Sequence, residues 1–321
     1  MVGEISLRSK TSHHLAGYAE KYVGLPGKFA MIAAMAISCY SALIAYTLGV
    51  SSSLQALFGG AQVWWAFGFY AIMVILLYGS LNMLEGSEIY IEFTKLIVFI
   101  ALLFVMFGSA SFQPAALQGF SWEFLLYPVG VILFACIGIS AVPFVRDILK
   151  KKLKRVREVI VLGSVIPVLT YALFAAAVIG ITGAYTTEVA TIGVASALRM
   201  PASWLLHVFA ILAMVSSFIA LGYALKWSLK RDFGLHNSEA WWLTLGIPPI
   251  AIVLGATSFV RTIDIGGSLA AGIAGYMILV MHARARRLGK RRPEYTVPAN
   301  NLLYVLVAAL LGIAVLHALA L

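Results

Sequence analysis

Residues 127–149 read YPVGVILFACIGISAVPFVRDIL, and the first charge among them is Arg146. The stretch is long enough for an α-helix to cross the hydrocarbon layer, which takes roughly 17–25 residues. Gly138 and Ser140 fall near its middle and Pro143 soon after. Small residues followed by proline weaken a helix at mid-membrane depth. Carbonyl and amide groups freed there can bind the charged ends of a zwitterion, as broken helices do in transporters. Alternatively, Gly138 lets a neighbouring helix pack closely and Pro143 only kinks the span. The span by itself leaves both readings open.

Working outward, eight more stretches have the length and apolarity to span, giving nine at about 29–50, 63–84, 88–109, 125–146, 157–182, 203–226, 241–259, 263–283 and 300–320. The composition agrees: 62% of the 321 residues are hydrophobic, only 11% are charged, and the mean hydropathy is +0.95. An ordinary soluble domain carries about 25% charged residues, so the chain reads as a polytopic membrane protein. The alternating polarity of a membrane β-barrel is absent, and the expected fold is an all-α helix bundle. The segment TEVATIGVASALRM at 187–200 is too polar to span and reads as a short amphipathic helix on a membrane surface. The polar, basic amino terminus is not followed by a short apolar stretch with a cleavage site, so no cleaved signal peptide is expected.

The net charge of +10 is a matter of placement. Arg8, Lys10, Lys21 and Lys28 precede the first span, and seven basic residues from Arg146 to Arg157 follow the fourth. Lys226, Lys230 and Arg231 follow the sixth, and six more from Arg284 to Arg292 follow the eighth. Twenty of the 23 basic residues thus lie on one side of a nine-span chain, with Arg199 and Arg261 opposite and Lys95 inside a span. The loop after the second span has only Glu85 and does not vote. The amino terminus is expected in the cytoplasm and the carboxyl terminus outside. A nucleic-acid surface is not needed to explain the charge.

Catalytic options are poor. The chain has no His-Glu-x-x-His, Gly-x-Ser-x-Gly or phosphate-cradling loop, and its three aspartates, Asp147, Asp232 and Asp264, lie at helix ends. His13-His14 reads as a solvated pair rather than a metal site, His207 as a packed or interfacial histidine, and Cys39 and Cys136 as unpaired thiols in apolar stretches. No enzyme, metal or cofactor is expected. Polar groups within the membrane are the better candidates. Ala213, Ser216 and Ser217 put one carbonyl and two hydroxyls within about a turn, a set that suits sodium, although such serines also bond back to their own backbone. Glu88, Glu92 and Lys95 share a helix face. Lys95 lies about 10 Å inside the cytoplasmic edge. It could snorkel or pair with Glu92, or carry a proton, because burial lowers an amine's pKa.

Four stretches carry a family resemblance: SLRSKTSHHLAGYAEKYVG at 6–24, FACIGISAVPFVRDIL at 134–149, LAMVSSFIALGYALKWSLKRDF at 212–233, and the run from SFVRTIDIGG at 258 to KRRPEY ending at 295. Together they resemble the aromatic amino acid permeases, within the amino acid/polyamine/organocation transporters and their amino acid auxin permease relatives. The resemblance covers essentially the whole chain. It implies a fold of two inverted five-helix repeats plus one helix, with substrate and coupling ion at mid-membrane. The nine spans would be that fold's third to eleventh helices, with the chain beginning in the loop before the third. An upstream polypeptide would then supply the first two.

On this resemblance, Phe134, Ala135, Cys136, Ile137, Gly138 and Ser140 match the broken helix that holds the substrate. Their backbone groups would meet the amino acid's charged ends, and Phe134 would line its pocket. Ala213, Ser216 and Ser217 match one side of a sodium site. Lys95 resembles the lysine that takes that sodium's place in some proton-coupled relatives. Asp264 lies where some relatives place an outer gate. The expected organisation is a cytoplasmic basic segment at 1–28, the rest of the first repeat at 29–109, the second repeat at 125–283 and an extra span at 300–320. The expected function is proton-coupled symport of aromatic or bulky neutral amino acids across the cell membrane, with sodium as the other candidate ion. The competing expectation is a non-transporting binding or scaffold subunit, or a degenerate permease remnant.

Overall fold

The computed structural model describes residues 1–78, 88–119, 121–198, 201–298 and 300–320. Part of the second expected span (79–84), Glu85 and Arg199 lie outside them. The described residues are all-helical, without strands. The helices are α1 (Val2–Leu7), α2 (Leu15–Val23), α3 (Leu25–Phe58), α4 (Gln62–Tyr78), α5 (Glu88–Phe107), α6 (Val129–Cys136), α7 (Val142–Ile148), α8 (Val156–Thr182), α9 (Ala190–Ala197), α10 (Ala202–Phe233), α11 (Asn237–Val253), α12 (Phe259–Leu288) and α13 (Asn301–Ala320).

A helix stands at each of the nine expected positions. Among the described residues six are long and apolar enough to cross a membrane on those criteria alone: α3, α6 with α7, α8, α10, α12 and α13. Of the other three, α4 and α11 have 17 residues each and α5 has 20. No residue of the most apolar window of α8 is buried. An apolar helix with an unburied surface needs an apolar surrounding, and the bilayer supplies it.

The chain forms two compact units. One comprises Met1–Ser38, Trp122–Thr170 and Ile263–Leu321, the other Cys39–Ser121 and Tyr171–Thr262. In the second unit, Leu43 and Val50 of α3 pack with Phe69, Met73 and Leu77 of α4, Met214 and Phe218 of α10, and Leu245 of α11. Phe69 and Phe218 meet edge to face, 5.4 Å between centroids. Gly234 ends α10 in the left-handed region (φ +67), a conformation that costs glycine nothing.

The segment at 187–200 corrects one expectation. It is helical as α9, but Thr191, Gly193, Val194 and Ala195 are buried. Val194 and Ala195 pack with Leu102 and Met106 of α5, Ala177 and Val178 of α8, and Leu206 of α10. Small residues let α9 seat inside the unit, so it is not a helix lying on a membrane surface.

In the first unit, the amino-terminal segment is part of the core. All six residues of α1 are buried, with Val2 and Ile5 packed against Tyr18, Tyr22, Met31, Ile278 and Met281. Arg146 of α7 is also buried, and it donates to the Ser9 carbonyl at 2.9 Å and the Tyr18 hydroxyl at 3.4 Å. Glu4 is fully buried and accepts from His282 Nε2 (2.9 Å), Arg8 (2.8 Å) and the Val297 amide (2.7 Å), while Arg286 stands 3.7 Å away. The other ring nitrogen of His282 bonds the Tyr304 hydroxyl at 2.6 Å. Burial by itself would raise the Glu4 carboxyl. The hydrogen bonds from His282, the Val297 amide and Arg8 outweigh it and hold the carboxyl below its ordinary value.

Removing one member of a buried, hydrogen-bonded charge cluster leaves the others unpaired, which costs about 3–5 kcal/mol. Glu4→Ala should lower the thermal unfolding midpoint in detergent accordingly, whereas the exposed Lys150→Ala should leave it unchanged. Because the folded-state carboxyl is depressed, Glu4's contribution is complete at neutral pH and is lost only as pH falls through that depressed value. The wild-type and Glu4→Ala midpoints should therefore converge on acidification, not on alkalinisation.

Candidate functional site

The span at 127–149 is two helices with a break. α6 ends at Cys136, and Ile137 adopts φ −71°, ψ 74°, an inverse γ-turn closed by the Gly138 amide donating to the Cys136 carbonyl at 2.8 Å. One 3₁₀ turn at Ile139–Ala141 leads into α7, which has Pro143 in its first turn. Proline cannot donate to the carbonyl four residues earlier, so it starts α7 afresh rather than continuing α6. Helix-terminal carbonyls of α6 and the first amides of the next segment thus converge at 136–140. A backbone interruption of this kind is tolerated at membrane depth where it lines a cavity.

The six residues expected to hold substrate all fall on this break or the turn before it. Ala135, Cys136, Gly138 and Ser140 are exposed at the unit's surface, and Phe134 and Ile137 are half-buried. A Cβ added at Gly138 would meet nothing within 4 Å. The space beside the break is open.

What anchors α6 lies at its other end. Pro128 occupies the N-cap and offers no side-chain bond. What faces this end comes from another helix: the Asp264 carboxylate of α12 stands against the first turn of α6, at the amides of Gly130 and Val131. These are the N2 and N3 amides that a capping side chain ordinarily serves. Two glycines permit the approach. A Cβ at Gly130 would overlap Asp264 Oδ1, Ser268 Oγ and the Asp264 carbonyl, and one at Gly267 would overlap the Gly130 carbonyl and Phe134. Asp264 and Ser268 are 5% and 1% exposed. Sequence reasoning had Asp264 only as a gate position and did not identify its role on α6. The available signal was the spacing in IDIGGS, which puts Asp264, Gly267 and Ser268 on one helix face.

The expected ion-coupling residues gather in the second unit. Lys95 Nζ donates to Ser216 Oγ at 2.8 Å, and that hydroxyl donates to the Ala213 carbonyl at 3.0 Å. Glu92 Oε1 is 2.5 Å from the ammonium on its more exposed side. The structure therefore joins Lys95, Ala213 and Ser216 into one chain. Ser217 is not part of it and pairs with the Tyr46 hydroxyl. The Glu88 side chain lies outside the description.

The remaining histidines and cysteines stand apart from these two places. His13 bonds Thr11 Oγ1 at 2.7 Å and meets Tyr18 edge on, and His14 packs against Phe144. His207 is buried. Cys39 is buried and Cys136 exposed, both free. Among the described residues no three metal-binding side chains cluster.

The crossing of α6 and α12 predicts a contrast between glycines. Gly130→Ala and Gly267→Ala should lower stability by about 1–3 kcal/mol, the usual cost of overpacking. Gly138→Ala should leave the unfolding midpoint within ~0.5 kcal/mol of wild type, as a substitution without a clash does. Thermal unfolding of the three purified variants checks this.

Comparison with known proteins agrees with the geometry. The pattern of the tryptophan/tyrosine permease family matches residues 1–318. Glutamine transporter 2 of Aliivibrio fischeri is 23% identical over 286 residues, which cover 84% of this chain and 72% of that protein. A multi-pass helical chain with a broken span, matched to the family over nearly its whole length, belongs to the tryptophan/tyrosine permease family.

Proposed function

We propose that the protein is a secondary-active amino acid permease that takes up aromatic or bulky neutral amino acids with protons by alternating access. Family membership supports amino acid transport, and the observation that carries proton coupling is the hydrogen bond from Lys95 to Ser216. An ammonium bonded to an oxygen that would otherwise face a metal cation does that cation's electrostatic work. It can also give up its charge by losing a proton, which sodium cannot. Ser216 and Glu92 hold the ammonium from two sides, so a movement of either helix changes what the amine faces.

The break at 136–140 is the counterpart for substrate. Carbonyls at the C-terminal end of α6 carry partial negative charge and suit the amino acid's ammonium. Amides leading into α7 carry partial positive charge and suit its carboxylate. Phe134 supplies an apolar wall for the side chain. The distribution of Lys and Arg supports a cell-membrane protein with a cytoplasmic amino terminus and an exterior carboxyl terminus. The relative's name favours glutamine as a second substrate reading, so both classes enter the test.

Purified protein in liposomes with an inward proton gradient should accumulate L-tryptophan, L-tyrosine or L-glutamine saturably, and a protonophore should abolish accumulation. Failure with all three would favour the binding or scaffold reading. Lys95→Ala should lose accumulation yet still exchange labelled for unlabelled substrate. If it continues to concentrate substrate, lysine is not the proton carrier. Ser216→Ala removes a bond to a charged group and should weaken coupling roughly tenfold. Gly138→Leu, placed in open space, should fold normally and lose substrate binding.

A further inference from the structure

Asp264 is buried, and its Oδ1 has no hydrogen-bond partner. Beside it stands the hydroxyl of Ser268, also buried and also without a partner. Both oxygens crowd the same face of Gly130. Native structures leave few buried polar atoms unpaired, because each one costs its full desolvation. Two orphans side by side, one of them on a carboxylate, mark a place that takes up something. The amides of Gly130 and Val131 face the carboxylate from α6, and His317 acts on it from α13. His317 is half-buried and stacks edge on against Tyr127, just before α6. Arg261 precedes Asp264 by three residues on α12.

We propose that Asp264 is a second proton-binding site, distinct from Lys95, whose protonation releases the N-terminal end of the broken helix α6. The proposal deepens the proton-symport reading and rests on it for its role in transport. When ionised, the carboxylate holds α6 to α12 by its attraction for the two amides it faces and by its complement to the helix dipole. A proton from water forms an O–H bond on the carboxyl and removes that charge. The neutral group is a weaker acceptor, and its new O–H can turn to the Ser268 hydroxyl, which fills both orphans. Loss of the proton to water restores the cap. Proton binding is thereby transmitted along two turns of α6 to Phe134 and the break. The Gly130–Gly267 contact keeps the helices in register while the cap is off.

The test uses the full chain in lipid and reads protonation directly. In the difference between wild type and Asp264→Asn, acidification should bring up one infrared band of a protonated carboxyl, and Ser268→Ala should shift its frequency. Absence of that difference band overturns the site. Should Asp264→Asn prove unstable, an unshifted band in Ser268→Ala overturns the proposal just as well.

Release of α6 is read at Cys136, the exposed thiol, with a fluorescent maleimide. The ratio of wild-type to Asp264→Asn labelling rates cancels the thiol's own titration. It should change with pH across the infrared transition and level off at low pH, and Asp264→Glu should restore a pH-dependent course. A ratio constant with pH overturns the release. If wild type fails to accumulate any of the three amino acids, the transport reading falls, while the infrared and labelling results still decide this one.

Discussion

Backbone N–H and C=O groups have no water to bond with in hydrocarbon, so a helix interrupted at membrane depth must find partners for the groups it frees. In this permease the interruption at Ile137–Gly138 makes that requirement at two places. At the break itself the freed groups face open space, where a zwitterion's own charges would satisfy them. At the far end of α6 proline leaves the first amides uncapped, and Asp264 reaches across from α12 to meet them. The same eight-residue helix is thus packed against α12 at one end and opens onto the break at the other.

Anchoring of this kind demands close backbone approach, which only Gly130 and Gly267 allow. Leu or Val at either position would separate the helices and leave the Asp264 carboxylate buried without its two amides. The glycines are therefore best understood through what they let the aspartate do. Lys95 reflects the same economy of polar groups in the other unit: its ammonium meets an oxygen chain through Ser216 to Ala213, so a charge within an apolar helix is paired rather than stranded. In the first unit, α1 is bound into the core by a similar logic. Glu4, His282, Arg8 and Tyr304 satisfy one another where water is excluded.

Much of the helical layout was legible from residue order. Apolar runs of spanning length are local and mark where helices form. Gly138, Ser140 and Pro143 lie close enough in sequence to raise the possibility of a break, with close packing and a proline kink as the other reading. The burial of α9 and α1 was not legible, because it depends on what packs over them. α9 carries polar residues that read as surface, yet Gly193, Ala195 and their neighbours are small enough to fit beneath α5, α8 and α10. α1 is short and contains a glutamate, and its partner His282 is 278 residues away.

Composition, periodicity and the placement of charge, all properties of neighbouring residues, by themselves determined that this chain is an all-helical membrane protein. Whether Gly138 merely packs or ends a helix was decided by the backbone path, and the turn at Ile137 settled it. Only the tertiary structure brought Asp264 to the amides of α6 and Lys95 to Ser216. Those contacts join residues more than a hundred positions apart, and no local propensity encodes which helix faces will meet.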